Sequence, residues 1–246
     1  MFDIICSVYS LFCRMKIKRN LGVIMSNLTS PPKFVIFDCD GVVVDSEPLT
    51  LQLMCDDLAS RGLGLSLSEV IDVAVGGTIA GVGEQAKALG ADIPDDWADQ
   101  FYEKMFTVLN QSVEPIPGIT TILDVLDHHS IPYAIGSNGS HRKMEITLGR
   151  CRLMERFAGR VFSREDVAHP KPAPDVYLLA ATKAGIAPHD CVVIEDSAIG
   201  ARAGVAAGMV VVGFTRDTLA IKFSGITDML FDDMADLPAL LGINAE

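Results

Sequence analysis

The chain has 246 residues, enough to bury a large core in one domain or in a main domain carrying an insert. With 20 Lys and Arg against 32 Asp and Glu, its formal net charge of -12 argues against sequence-independent nucleic-acid binding, which needs clustered basic residues. An anionic substrate must therefore be drawn in by local groups, a metal ion first among them. The six cysteines (Cys6, Cys13, Cys39, Cys55, Cys151, Cys191) show no C-x-x-C spacing, so neither a zinc site nor a disulfide framework is indicated. Free thiols in a reducing cytoplasm are the expectation.

No apolar run reaches the roughly 18 to 20 residues that a bilayer span requires, and no membrane partner is expected. Phe2 to Cys13 is largely apolar, with Arg14, Lys16, Lys18 and Arg19 after it, the reverse of the order in a secretory signal. A short interfacial anchor is one reading. The favoured one is an extended or misassigned start, because Met25 opens a second start before a polar stretch; residues 1–30 are expected to add nothing to catalysis.

The first element is the run Phe34 to Phe37, four apolar residues suited to a strand buried on both faces, and it stops at Asp38-Cys39-Asp40-Gly41. Helical spacing follows over Pro48 to Arg61, closed by Gly62. Ser66 and Glu69 read as a capping box for a second helix through Val75, which Gly76 and Gly77 break. A third helix is predicted from about Val82 to Leu89. A longer one within Asp95 to Val113 puts Trp97, Phe101, Met105 and Leu109 on one face. After Pro115-Ile116-Pro117-Gly118 the strand-helix rhythm resumes. A helix is predicted over Ile119 to His129, a strand over Pro132 to Ser137, and a helix from Ser140 to Gly149. Next come a strand over Arg160 to Ser163, a helix over Pro174 to Ala184, and a strand over Cys191 to Ile194. The chain closes with a helix over Ala198 to Ala207, a strand over Met209 to Phe214, and a last strand and helix near Met229 to Phe231 and Met234 to Leu241. This alternation predicts an α/β fold, a doubly wound parallel sheet with a Rossmann-like core. Residues 31–46 and 114–246 form that core, and the all-helical 47–113 is inserted into it.

Residues two apart in an extended segment point the same way, so Asp38 and Asp40 can converge beyond the carboxyl end of the first strand, where open parallel sheets bind ligands. Two anions held close favour a hard cation between them or a proton on one. The segment Asp38-x-Asp40-Gly41-Val42-x-x-Asp45-Ser46 resembles the nucleophile motif of the haloacid dehalogenase superfamily, most of whose members are phosphatases. Three further loops, each at a strand end and in the family's order, extend the resemblance over about residues 33–235. They are Ser137-Asn138-Gly139-Ser140, Lys171 in Lys-Pro-x-Pro-Asp, and Glu195-Asp196.

The resemblance implies a role for each residue. Asp38 would be the nucleophile and Asp40 the general acid and base. Ser137 and the amide of Asn138 would bind the transferring phosphoryl group, and Lys171 would neutralise it. Magnesium would be held by Asp38, the backbone carbonyl of Asp40 and Asp196, with Glu195 acting mainly through a water. The amides near Gly139 and Ser140, which open a helix, add anion-binding capacity. The insert resembles the family's mobile cap, hinged at Ser46, Glu47 and residues 115–118. Its loop around Gly76 to Gly81, with Gly77 and Thr78 as substrate contacts, would set specificity together with Lys104, His141 and Arg142. Having Asp40 favours phosphoryl transfer over dehalogenation, since a halide leaves without a proton. Within the superfamily the sequence resembles the group of sugar phosphatases, phosphoglycolate phosphatase and β-phosphoglucomutase. No arginine follows Gly77 and no lysine follows Ser137-Asn138, which separates it from the mutase pattern. The Phe-Asp-Cys-Asp-Gly opening and Ser137-Asn138-Gly139 with Lys143-Met144 look more like the 6-phosphogluconate phosphatase type. The expectation is a hydrolase of a small phosphorylated metabolite, monomeric or a weak homodimer, with a sugar phosphomutase or a catalytically silent homologue as alternatives.

Overall fold

In a computed structural model of the chain, residues 28, 30–74, 78–227 and 229–243 are described. The expected N-terminal extension, except Leu28 and Ser30, and the expected contact Gly77 lie outside them. The order of elements follows the alternation in the sequence. Strand β1 (Phe34–Phe37) is followed by helices α1 (Glu47–Ser60), α2 (Leu67–Ala74), α3 (Ile79–Ala88) and α4 (Trp97–Ser112). Then come α5 (Ile119–His128), β2 (Tyr133–Ser137), α6 (His141–Arg150), β3 (Val161–Ser163), α7 (Asp175–Ala184) and β4 (Cys191–Glu195). The last elements are α8 (Ala198–Ala206), β5 (Val210–Phe214), β6 (Leu230–Phe231) and the single turn α9 (Leu237–Leu240).

All strand pairs are parallel, in the order β3-β2-β1-β4-β5-β6. β1 is central, and its four side chains are buried because helices cover both faces of the sheet. The strand order reverses beside β1, which opens a crevice at the carboxyl ends of β2, β1 and β4. Asp38, Ser137 and the Glu195-Asp196 pair are the residues that end or follow those strands.

Two segments join the helical block of α1 to α4 to the sheet, and they pair with each other. Asp45 N donates to Glu114 O at 2.9 Å and Ile116 N to Val43 O at 3.0 Å. Inside the block, the apolar face of α4 places Trp97, Phe101 and Leu109 against α1 and α3, all essentially buried. Asp57 of α1 is buried among them and accepts from Trp97 Nε1 (2.7 Å), Arg61 Nε (2.8 Å) and Lys104 Nζ. The helix predicted from Val82 begins three residues earlier. The Thr78 side chain caps it, accepting from Gly81 N at 3.1 Å, so Ile79-Ala80-Gly81 is helical despite its glycine. The expected Ser66–Glu69 box is present, with Ser66 N donating to Glu69 Oε2 at 2.8 Å.

Because three donors converge on one buried carboxylate, Asp57→Ala should lower stability by about 1–3 kcal/mol, the usual cost of leaving buried partners unsatisfied. Urea unfolding monitored by Trp97 fluorescence measures this, and an unchanged midpoint would contradict the assignment.

Candidate active site

The crevice is built by four strand ends. β1 delivers Asp38, whose backbone N donates to Ile194 O at 2.9 Å and fixes the β1 end against β4. The next residues coil tightly: Val43 N and Val44 N both donate to Cys39 O, and Gly41 N donates to Val44 O. Gly41 has φ +79°, and a Cβ there would lie 2.0 Å from Asp196 Oδ2, so only glycine lets the two acidic loops approach. β2 delivers Ser137, whose Oγ accepts from Gly139 N at 3.0 Å. The Asn138 side chain reaches the fourth loop. Its Oδ1 accepts from Lys171 N at 2.9 Å and its Nδ2 donates to Lys171 O at 3.2 Å.

Lys171 is the centre of the site. It is 6% exposed, and its Nζ donates to Asp38 Oδ1 and Glu195 Oε1, each at 2.6 Å. It also lies 4.6 Å from the centre of the Tyr177 ring. Glu195 is fully buried and both its oxygens are occupied. Oε1 also accepts from Tyr177 Oη at 2.7 Å, and Oε2 accepts from Ser197 N at 3.0 Å and Ser197 Oγ at 2.9 Å. A Cβ on Gly200 would fall 1.5 Å from Glu195 Oε1, so the first turn of α8 also depends on glycine for this contact. Carboxylate oxygens of Asp38, Glu195 and Asp196 lie within 4.8 Å of one another, a spacing that suits an oxygen-ligated cation. With Glu195 saturated by donors, Asp38 and Asp196 have the open oxygens, and Glu195 supplies charge and holds Lys171.

Asp40 faces the other way. Its carboxylate pairs with Lys143 Nζ at 2.8 Å and accepts from Ser46 Oγ. Together these groups line a cavity of about 590 Å³. Asp38, Asp40, Ser137, Asn138, Gly139, Ser140, Lys171, Glu195 and Asp196 all border it from the core, and Thr78 from the insert. Three expected specificity residues do not face it. Lys104 is turned into the helical block toward Asp57. His141 donates its backbone N to Glu165 Oε2 and pairs its ring with Asp166. Arg142 lies over the Phe106 ring at 4.4 Å and binds Glu103 of α4. Asp45 is likewise tied down, to Arg216 at 2.7 Å.

Sequence reasoning gave no role to Tyr177 and quoted Lys143 only as part of a resemblance. Both carry readable signals. Lys143 stands in the first turn of α6, where a cation opposes the helix dipole, so a tertiary partner is called for. Tyr177 is a hydroxyl on the apolar face of α7, which demands a buried acceptor.

The proton affinities follow from burial. Burial raises Asp38 to about 7; Lys171 opposes the rise, and Glu195 and Asp40 add to it. Burial, then Glu195 and Asp38, push Asp196 well above the ordinary carboxylate range. For Asp40 burial works against ionisation, but Lys143 and Ser46 overcome it and hold the group below its usual value. Carboxyls raised on folding stabilise the protein below their unfolded values near 4, and that contribution fades as pH climbs toward about 7. A divalent cation must displace these protons. Its stabilising effect should therefore grow from pH 5 to pH 8, with proton release on binding at the lower end. Thermal shifts with magnesium ions across that range measure the effect, and a shift that is independent of pH would contradict this electrostatic picture.

A sequence model described as haloacid dehalogenase-like hydrolase matches residues 35–214. The 6-phosphogluconate phosphatase of Escherichia coli K12 is 26% identical over 196 residues, covering 74% of this chain and 82% of its own. The fructose-1-phosphate phosphatase of the same organism is 34% identical over 180 residues, covering 71% of this chain and 92% of its own. Among solved structures, a hydrolase of Deinococcus radiodurans with bound phosphate and sodium superposes with a TM-score of 0.77. It is 32% identical, and the match covers 87% of this chain and 96% of that one. With the family's motifs at four adjoining strand ends and a family match over most of its length, the chain belongs to the haloacid dehalogenase-like hydrolases.

Proposed function

We propose that the chain is a magnesium-dependent phosphatase that hydrolyses a small phosphorylated metabolite, a sugar phosphate, through a phosphoryl group carried on Asp38. The observation that carries this reading is the Asp38 carboxylate at the cavity. Lys171 holds one of its oxygens at 2.6 Å, and an acid-base partner, Asp40, stands two residues on. The two Escherichia coli relatives, named for phosphatase action on a phosphorylated sugar acid and a phosphorylated sugar, support the substrate class.

In this reading the phosphoryl group enters between Asp38 and the Ser137 loop. Ser137 Oγ and the amide of Asn138 would bind its oxygens, with the amide of Ser140 adding to them, and Lys171 neutralises charge shared between nucleophile and phosphate. Asp38, the backbone carbonyl of Asp40 and Asp196 would hold magnesium. Such a set of hard oxygen donors fits that ion, which when bound offsets the repulsion between two anions. The free oxygen of Asp38 attacks phosphorus in line and expels the sugar alkoxide, and Asp40 gives that oxygen a proton. Asp40 is ionised before substrate arrives, so it must first gain a proton; a phosphate dianion placed beside it raises its proton affinity by like-charge repulsion. Asp40 next takes a proton from the water that attacks the phosphoryl group, releasing phosphate and restoring Asp38.

The helices of residues 47–113 act as a cap in this proposal, moving about the paired segments at Val43–Asp45 and Glu114–Ile116 to admit substrate and exclude water. Hydrolysis is favoured over mutase transfer. Among the described residues the insert lines the main cavity with Glu47, Thr50, Thr78, Ile79, Tyr102 and Met105, none of them a cation. The four described cysteines, all free thiols, accord with action in the cytoplasm.

Release of phosphate from p-nitrophenyl phosphate and from sugar phosphates should require magnesium and vanish in Asp38→Asn. Asp40→Asn should cost about 10²- to 10⁴-fold with sugar phosphates, whose alkoxides need a proton. It should cost less with p-nitrophenyl phosphate, where a pre-steady-state burst of nitrophenolate is expected. No phosphate release across a broad panel would sink the enzymatic reading. Equal losses on both substrates without a burst would remove Asp40 from the acid role.

A further inference from the structure

The main cavity opens on a second one of about 530 Å³ between α4 and the core, and Tyr102, Ser140 and Arg164 border both. The cations on these walls are mostly committed. Lys171 is bound by Asp38 and Glu195, Lys143 by Asp40, and Arg142 by Glu103. Among the described residues, Arg164 is the one cation of either wall with no carboxylate partner.

Its position is nevertheless fixed. Arg164 follows β3, at the carboxyl edge of the sheet where ligands bind, in a turn whose other side chains are all engaged. Ser163 Oγ donates to Gly139 O at 2.6 Å, joining the turn to the loop that carries Ser137. Ser163 N donates to Asp166 Oδ2 at 2.8 Å, and Glu165 N to Ser163 Oγ at 3.1 Å, which closes a capping box. Glu165 and Asp166 both hold His141 at the start of α6. The turn thus sets its backbone against the phosphate loop and leaves one guanidinium facing the space where the non-phosphoryl part of a substrate would lie.

We propose that Arg164 is a specificity residue that binds an anionic group at the far end of the substrate, so that the preferred substrates are sugar phosphates carrying a second anion, a carboxylate or a second phosphate. A guanidinium binds either group through paired N–H donors. The chain's net charge of -12 makes such a local cation the available means of attracting a charged leaving group. The proposal rests on the phosphatase reading above and deepens it. Its competitor is an ion pair between Arg164 and Asp99, which borders the second cavity from α4, formed when the insert moves.

The test compares matched substrates under magnesium. 6-Phosphogluconate is set against glucose 6-phosphate for the carboxylate arm, and fructose 1,6-bisphosphate against fructose 6-phosphate for the phosphate arm. For the wild type, kcat/KM should favour the member with the second anion in at least one pair by about 10- to 100-fold, the range of a charge-assisted contact. Arg164→Gln should collapse that ratio toward one, mainly through KM, and Arg164→Lys should restore part of it. The arm that shows the effect identifies the anion. Equal hydrolysis of the members with and without the second anion, or a ratio unmoved by Arg164→Gln, overturns this proposal and leaves the phosphatase reading standing. Equal losses on every substrate in Arg164→Gln and Asp99→Asn overturn it in favour of the ion pair. No hydrolysis of any member by the wild type overturns the phosphatase reading itself.

Discussion

One ammonium group holds the site together. Lys171 sits buried between Asp38 and Glu195, with Asp196 and Asp40 close behind. Four carboxylates in a water-poor crevice repel strongly, and a single lysine cannot neutralise them. The fold meets this in three ways. Asp38 and Asp196 take up protons easily, Asp40 is assigned its own cation in Lys143, and Glu195 is saturated by the donors Lys171, Tyr177 and Ser197. What remains is a pair of acids with open oxygens and a residual negative charge, which a divalent cation and a phosphoryl group together would complete.

The sheet makes that arrangement cheap to maintain. A parallel sheet whose order reverses beside β1 brings four loops to one crevice without any long excursion of chain. The loops then fasten to one another. Asn138 binds the backbone of Lys171 on both sides, Ser163 binds Gly139, and Gly41 and Gly200 let backbone approach the acids to distances a side chain would forbid. The acidic groups and Lys171 therefore sit on loops fastened to the sheet and to one another. The helical insert meets the core along α4 and α6 and connects to it through one pair of adjoining segments.

Much of this was legible in the residues. Phe34 to Phe37 reads as a buried strand because all four side chains are apolar, and its bounds agree with the structure. The run of alternating elements after Gly118 is legible for the same reason, with ends shifted by a residue or so, except that the last helix, expected from Met234, begins as a 3-10 turn and is α-helical only over Leu237–Leu240. The start of α3 was not, because Gly81 reads as a breaker until the Thr78 cap is seen. Long-range pairings were also hidden. Lys104 looks like a substrate contact on an exposed helix face, but Asp57, 47 residues earlier, takes it. The commitments of Arg142 and His141 depend on α4 and the β3 turn, which no local pattern announces. Arg164 escaped notice for the opposite reason: its distinction is the lack of a partner, a property visible only after every neighbouring charge has been placed.

The most direct test of the account is to trap the covalent state. The Asp40→Asn protein, in which breakdown of the intermediate should be slowed, is mixed with magnesium and p-nitrophenyl phosphate, quenched in acid within the first turnover, digested and mapped by mass spectrometry. The account predicts one phosphoryl group per chain, on the peptide bearing Asp38 and on that side chain. Nitrophenolate release with no phosphorylated peptide, or with the phosphoryl group on a different residue, would contradict it.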